Sequence, residues 1–171
     1  MVVRTAVKHE LPTIDDDGAV IVRARSKYGQ LILVDSSLGA RSLRVVLDTG
    51  AQYAVGNLAM RRLAEHLIDH ENGSRQVQML SVVGKSVTAD YTQIGQIKLG
   101  GFILLNTPIA FADAHPFKRF GLERQPAMLL GMDMLHLFRR VTIDFANRQV
   151  SFVAPPGMRF DTDVPKPPRK S

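Results

Sequence analysis

An acid, a hydroxyl and a glycine follow one another at the end of an apolar run, Val45-Val46-Leu47-Asp48-Thr49-Gly50-Ala51. Ending a buried strand on a carboxyl group is costly unless hydrogen bonds or a reaction require it there. Thr49 adds a hydroxyl that can donate and accept, and Gly50 lets another backbone approach closely. The plain alternative is a turn that closes a buried strand, with Asp48 and Thr49 bonding nearby backbone groups. Other chemistries lack their residues. The chain has no cysteine, which removes thiol nucleophiles, disulfides and Cys-ligated metals. No serine sits in a Gly-x-Ser-x-Gly elbow, and no Gly-rich phosphate loop occurs. His66 and His70 have the i, i+4 spacing that can bind zinc. The run between them, Leu67-Ile68-Asp69, puts no glutamate after His66, so a solvated helix face is the preferred reading. His136 reads as a packed or surface histidine. No metal and no organic cofactor are expected.

A second segment gives the first its meaning. Met128-Leu129-Leu130-Gly131 lies 81 residues downstream, counting Leu129 from Asp48. Alone it reads as ordinary core strand. With Asp48-Thr49-Gly50-Ala51 in that order and at that distance, the chain resembles the retropepsin-like aspartic proteases, the single-lobe relatives of pepsin. The style of Leu130-Gly131-Met132-Asp133 is closer to bacterial members than to viral ones. The resemblance spans residues 19–154. It implies a closed acid-protease-type β barrel. It also implies a catalytic Asp48 supported by Thr49, Gly50, Ala51, Leu129, Leu130 and Gly131, and a substrate-covering hairpin around Gly84. Gln52, Val83, Gly84 and Lys85 are then the candidate substrate contacts. Two departures stand out. Viral members often carry Asp after Asp-Thr-Gly-Ala and Arg after the second glycine, and those two pair; here the positions hold Gln52 and Met132. Both ends of the ion pair are missing together, so neither charge is left alone. The hairpin tip has one glycine, Gly84, in place of a glycine-rich stretch.

One carboxylate is a poor catalyst of amide hydrolysis. Two held close together cannot both ionise easily, so they share a proton and their apparent pKa values split, as in the aspartic-protease dyad. The ionised member takes a proton from water while the protonated member hydrogen-bonds the scissile carbonyl. No second Asp-Ser/Thr-Gly occurs; Asp35-Ser36-Ser37 is the nearest miss. The second carboxylate must come from another copy of the chain or from a lobe outside it. A symmetric homodimer brings two Asp48 residues to one axis. The reading is therefore an aspartic endopeptidase acting on a polypeptide. The alternative is a catalytically inactive peptide-binding or dimerisation module on the same fold, which would have no need of the acid.

The elements that must position these residues are mostly short strands. Expected strands cover 19–25, 30–34 and 43–47, with a hairpin loop at 36–39. A helix over 58–70 starts at Asn57 as N-cap, with Leu58, Leu63 and Leu67 near helical spacing. A hairpin over 77–91 turns near Gly84. Separate strands at 96–99 and 102–111 flank Gly100-Gly101, and Pro108 places the latter at an edge or bulge. Residues 115–126 read as a polar, proline-bounded loop. A short helix at 132–138 precedes a terminal hairpin of 141–145 and 149–153. The tally is a mainly β domain, barrel or sandwich, with one moderate helix and one short C-terminal helix.

The 171 residues divide into an extension (1–18, ending in the turn signal Asp15-Asp16-Asp17-Gly18), the domain (19–154) and a Pro-rich basic tail (155–171). That length suits one domain. The formal charge is +6, but three of the cations sit in the terminal run Lys166-Pro167-Pro168-Arg169-Lys170. With 8 Phe, 3 Tyr and no Trp available for base stacking, specific nucleic-acid binding is not expected. No segment approaches the roughly 18–20 apolar residues of a membrane span, and the first ten residues lack the apolar core of a secretory signal. The chain reads as soluble. A signal upstream in a longer protein stays open, and the lack of cysteine assigns no compartment.

Overall fold

The computed structural model describes residues 13–14, 18–27, 29–33, 36–68, 74–80, 84 and 86–155. The terminal tail from residue 156 and most of the N-terminal extension lie outside the described residues. Strands β1 (Thr13–Ile14), β2 (Val20–Lys27), β3 (Gln30–Leu33), β4 (Ser36–Leu38), β5 (Arg41–Ser42), β6 (Arg44–Leu47) and β7 (Val55–Gly56) come first, followed by helix α1 (Leu58–Ala64). Then come β8 (Arg75–Leu80), β9 (Ser86–Leu99), β10 (Phe102–Phe111), α2 (His115–Phe120), β11 (Ala127–Leu130), α3 (Met132–Leu135), β12 (Arg140–Asp144) and β13 (Gln149–Val153).

All the strands join one sheet, in the order β12-β13-β2-β3-β6-β11-β7-β10-β9-β4-β5, with β1 on β2 and β8 on β9. The sheet curls around its core but is open, with β12 at one end and β5 at the other. This corrects the expected closed barrel. The far edge is only the two exposed residues Arg41 and Ser42, too short a ladder to reach β12. β11 enters between β6 and β7, parallel to β6 and antiparallel to β7.

Period-two alternation divides the buried side chains between two clusters. On one side of the sheet, Val20, Val22, Leu33, Val45 and Leu47 join Met60 of α1 and the aromatic trio Phe102, Phe138 and Phe152. The three rings meet at centroid separations of 4.9, 5.7 and 4.8 Å. On the other side, Ile32, Val46, Val55, Ala110 and Leu129 pack with Phe117 and Phe120 of α2. Each such side chain contributes about 1.5–3 kcal/mol by leaving water.

Several elements differ from expectation, each for a physical reason. α1 stops at Ala64 instead of reaching residue 70. The Leu67 carbonyl accepts the Gly95 N–H at 3.0 Å and Ile68 bridges to Ile94, so the chain leaves the helix to pair with β9. His66 lies in that turn, and His70 is outside the described residues. The strands expected on either side of residue 92 are one 14-residue strand, β9. The loop expected at 36–39 contains strand β4, which pairs with β5 just beyond it. The loop expected at 115–126 opens with helix α2. Pro116 stands at its first turn, where its missing N–H does no harm. Gly121 closes it in the left-handed region at φ 66°, donating back to Lys118 and Phe117 carbonyls. α3 is a four-residue turn of helix rather than seven. Pro108 sits on the part of β10 that pairs only with β9, since β7 meets just Ala110 and Phe111. Among the described residues no helix is long and apolar enough to cross a membrane.

Candidate active site

Asp48 follows β6, whose Val45, Val46 and Leu47 are buried between β3 and β11. β6 and β11 run parallel with Leu47 beside Leu130. The Asp48 N–H extends that ladder, donating to the Leu130 carbonyl at 3.2 Å. Two apolar strands thus end together, and the acid stands at their C-terminal ends. Asp48 is half-buried, while Thr49 and Gly50 are exposed. The Asp48 Oδ1 accepts the Gly50 N–H at 3.1 Å, and the Asp48 carbonyl accepts the Ala51 N–H at 3.1 Å. A side chain at Gly50 would place its Cβ 3.3 Å from that same Oδ1, crowding the carboxylate.

The loop after Asp48 lies across the start of α3. Met132 N–H donates to the Ala51 carbonyl at 2.9 Å, and Asp133 N–H to the Gln52 carbonyl at 3.1 Å. Gly131 caps α3, and a Cβ there would fall 2.5 Å from the Tyr53 oxygen and 2.6 Å from its carbonyl carbon. Only glycine fits. The structure therefore brings Asp48, Thr49, Gly50, Ala51, Leu129, Leu130 and Gly131 together. Leu129 and Leu130 are buried and Gln52 is exposed.

Two residues of this site escaped the motif reading. Asp133 turns its carboxylate onto the loop, Oδ2 accepting the Ala54 N–H at 3.1 Å and Oδ1 the Met134 N–H at 2.8 Å. Its one sequence signal is an acid in the first turn of a short helix. Asn57, read only as an N-cap, does more. Its Oδ1 accepts from Met60 N–H at 2.8 Å and Ala127 N–H at 3.2 Å. Its amide donates to the Leu122 and Gln125 carbonyls at 2.7 Å each. Asn57 is buried with its hydrogen-bonding capacity filled, and it ties α1 to the entry of β11.

Val46 and Asp48 share strand parity, so the second apolar cluster begins beside the acid. Leu129 and Val55 extend it sideways. The β8–β9 hairpin packs against it through Val77, Met79, Val87, Ala89 and Tyr91. The hairpin's other face is polar, with Gln78 bonded to Thr88 at 2.9 Å and Ser86 bonded to Gln78 at 2.7 Å. Gly84 lies at the tip, exposed, at φ 75°, and a Cβ there would meet nothing within 4 Å among the described residues. Val83 and Lys85 lie outside the described residues. The hairpin is held at its base as well as on its apolar face. Its base has an ion pair, Arg61 Nε to Asp90 Oδ2 at 3.1 Å, and the Arg75 guanidinium lies 4.9 Å above the Tyr91 ring. Partly exposed pairs of this kind contribute about 0–1 kcal/mol each. Among the described residues no group of three or more His, Asp or Glu side chains could hold a metal ion.

A family model described as aspartyl protease matches residues 34–134, more than half of the chain and the whole stretch from β4 into α3. The structure is similar to that of a retropepsin-like aspartic protease from Rickettsia conorii, with a TM-score of 0.49 and 16% identity, over 79% of this chain and 90% of that one. No curated protein matches the sequence.

Proposed function

The chain belongs to the aspartyl protease family, and we propose that it is an endopeptidase in which two Asp48 carboxyl groups, one from each of two copies, share a proton across a two-fold axis. The observation that carries this reading is a single half-buried Asp48 standing at the paired ends of β6 and β11, its neighbours Thr49 and Gly50 open to the surface. A second copy meeting that surface supplies the missing carboxylate and desolvates both. The edge strand β12 and the exposed Leu137 and Phe145 suit an intersubunit sheet formed by the terminal hairpin.

In the reaction, the ionised carboxylate removes a proton from water as its oxygen attacks the scissile carbonyl carbon. The protonated carboxyl gives its hydrogen bond, and then its proton, to the carbonyl oxygen. The resulting gem-diol collapses as the leaving nitrogen is protonated, and the pair returns to one shared proton. The substrate lies extended beneath the β8–β9 hairpin and exchanges main-chain hydrogen bonds with it. Gln52, Val83, Gly84 and Lys85 are its proposed contacts. The apolar face formed by Val46, Val55 and Leu129 favours cleavage beside apolar residues in unfolded or looped segments.

The test is cleavage of an unfolded protein between pH 4 and 7, with and without a statine-type transition-state mimic. Cleavage that the mimic blocks and Asp48→Asn removes is the expected result. Turnover that survives Asp48→Asn overturns the assignment. Sedimentation showing a fully active monomer at every concentration overturns the pairing.

A further inference from the structure

We infer that Asp133 is a positioning residue: its carboxylate ties the segment after Asp48-Thr49-Gly50 to α3 and so fixes the direction of the Asp48 carboxyl group. The inference rests on the proposed function for its catalytic meaning, though not for the contact itself. Residues 51–54 receive three bonds from a short stretch of chain. Ala51 and Gln52 carbonyls are held by the backbone N–H groups of Met132 and Asp133, at 2.9 and 3.1 Å. The third bond is the Ala54 N–H to Asp133 Oδ2 at 3.1 Å, between residues 79 apart. It is the one side-chain bond of the three, and so the one a substitution can remove. Ala54 is 1% exposed and Met134 is 2% exposed. Water therefore cannot replace the carboxylate, and its loss would strand the buried Ala54 N–H, whereas the Met134 N–H keeps the Gly131 carbonyl at 3.2 Å. Satisfying the Ala54 N–H would then need the loop to lift from α3. The loop leads directly back to Asp48 through the Ala51 N–H bond to the Asp48 carbonyl at 3.1 Å.

The two neighbouring positions strengthen the case. Gln52 and Met132 carry no charge, so no ion pair links the loop to α3 there. Asp133 holds the same two pieces of backbone together from one residue further on. Its chemistry is also specific. Both carboxylate oxygens accept, one from Ala54 and one from Met134. An asparagine of the same shape offers one acceptor and one NH₂, so one of the two N–H groups would face a donor.

The test uses the full chain and the variants Asp133→Asn and Asp133→Ala, assayed at a temperature where circular dichroism shows both folded. Asp133→Asn is expected to lower kcat about 10- to 100-fold, the scale of a misplaced reacting group. KM is expected to stay within about threefold. The limbs of the pH–rate profile should move, because the coupling of the two carboxyl groups depends on their separation. In Asp133→Ala the Ala54 amide should exchange with deuterium at least about tenfold faster, by loss of its acceptor. A loss of activity that follows only the unfolded fraction, with the pH limbs and Ala54 exchange unchanged, overturns the proposal. If the wild-type chain hydrolyses nothing, the proposed function is what fails. Ala54 exchange and the Asp48 carboxyl resonance followed by NMR, compared between wild type and Asp133→Ala, then decide the positioning role: no change in either overturns it.

Discussion

The loop that carries Asp48 and the hairpin that faces it are built on opposite principles. The loop is fastened at four of its residues: Asp48, Ala51, Gln52 and Ala54 all bond to backbone or carboxylate partners around α3 and β11, and Gly131 is pressed against Tyr53. The hairpin is anchored on its apolar face and at its base by Arg61 and Asp90, while a Cβ at Gly84, at its tip, would meet nothing within 4 Å among the described residues. Catalysis by preorganised groups needs the first arrangement, and admission of an extended chain needs the second. One glycine serves closeness of packing, the other freedom of the turn.

The largest effect separating the two regions should come from the acid itself. Asp48→Asn is expected to lower kcat by about 10⁴-fold or more, as removal of a reacting group does, with the thermal midpoint almost unchanged. Mixing wild type with a ninefold excess of the variant should lower activity per wild-type chain about tenfold if random pairing governs the active species; strict proportionality to wild type would break that idea. Next comes Gly131→Ala. With a Cβ 2.5 Å from the Tyr53 oxygen, the loop must move, and urea denaturation should show a loss of about 3 kcal/mol together with most activity. Gly84→Val acts in the other region. A branched residue at φ 75° costs about 1–2 kcal/mol, yet turnover on a peptide of six or more residues should fall about 3- to 10-fold through the stiffer tip. Equal turnover in the two proteins would show that the hairpin is not a lid.

The smallest effect lies far from both. Asp144 has its pKa lowered, first by the backbone N–H of Asn147 and then by that residue's side chain, at 2.9 and 2.6 Å. A lowered folded-state value means stabilisation that is present above the unfolded value and lost as pH falls through the folded one. The difference in thermal midpoint between wild type and Asp144→Ala should be small at neutral pH, begin to shrink as pH falls below about 4, and vanish only once pH has passed through the lowered folded value. A difference that grows in acid would mean the Asn147 contacts do not act through the ionised carboxylate.

Much of this was legible in the residues. The family resemblance read from Asp48-Thr49-Gly50 and Leu129-Leu130-Gly131 is borne out, because a strand that ends in an acid and a strand that ends in glycine each leave a local signature. Asn57 announced a helix start for the same reason. What escaped was set at long range. α2 was hidden because Pro116 and Gly121 signal a loop as readily as a helix's two ends, and only burial of Phe117 and Phe120 decides. α1 ended early because Leu67 and Ile68 found partners on β9, some thirty residues away in sequence. The Asp133 bond to Ala54 spans 79 residues, and no local pattern announces such a contact. Closure of the barrel could not be read from alternation, which fixes the faces of strands but not whether the last meets the first.

The position of β11 between β6 and β7 sets an order of events in time. β6 and β7 are made within about a dozen residues of one another, yet they have a gap between them until residues 127–130 arrive to fill it. A chain emerging from synthesis therefore holds its acid-bearing loop with nothing beneath it until four-fifths of the domain has been made. Contacts of such sequence separation form late because loop closure must precede them. Assembly of the acid's surroundings coincides with completion of the domain, and a chain cut short before residue 127 would keep Asp48 without the strand that seats it.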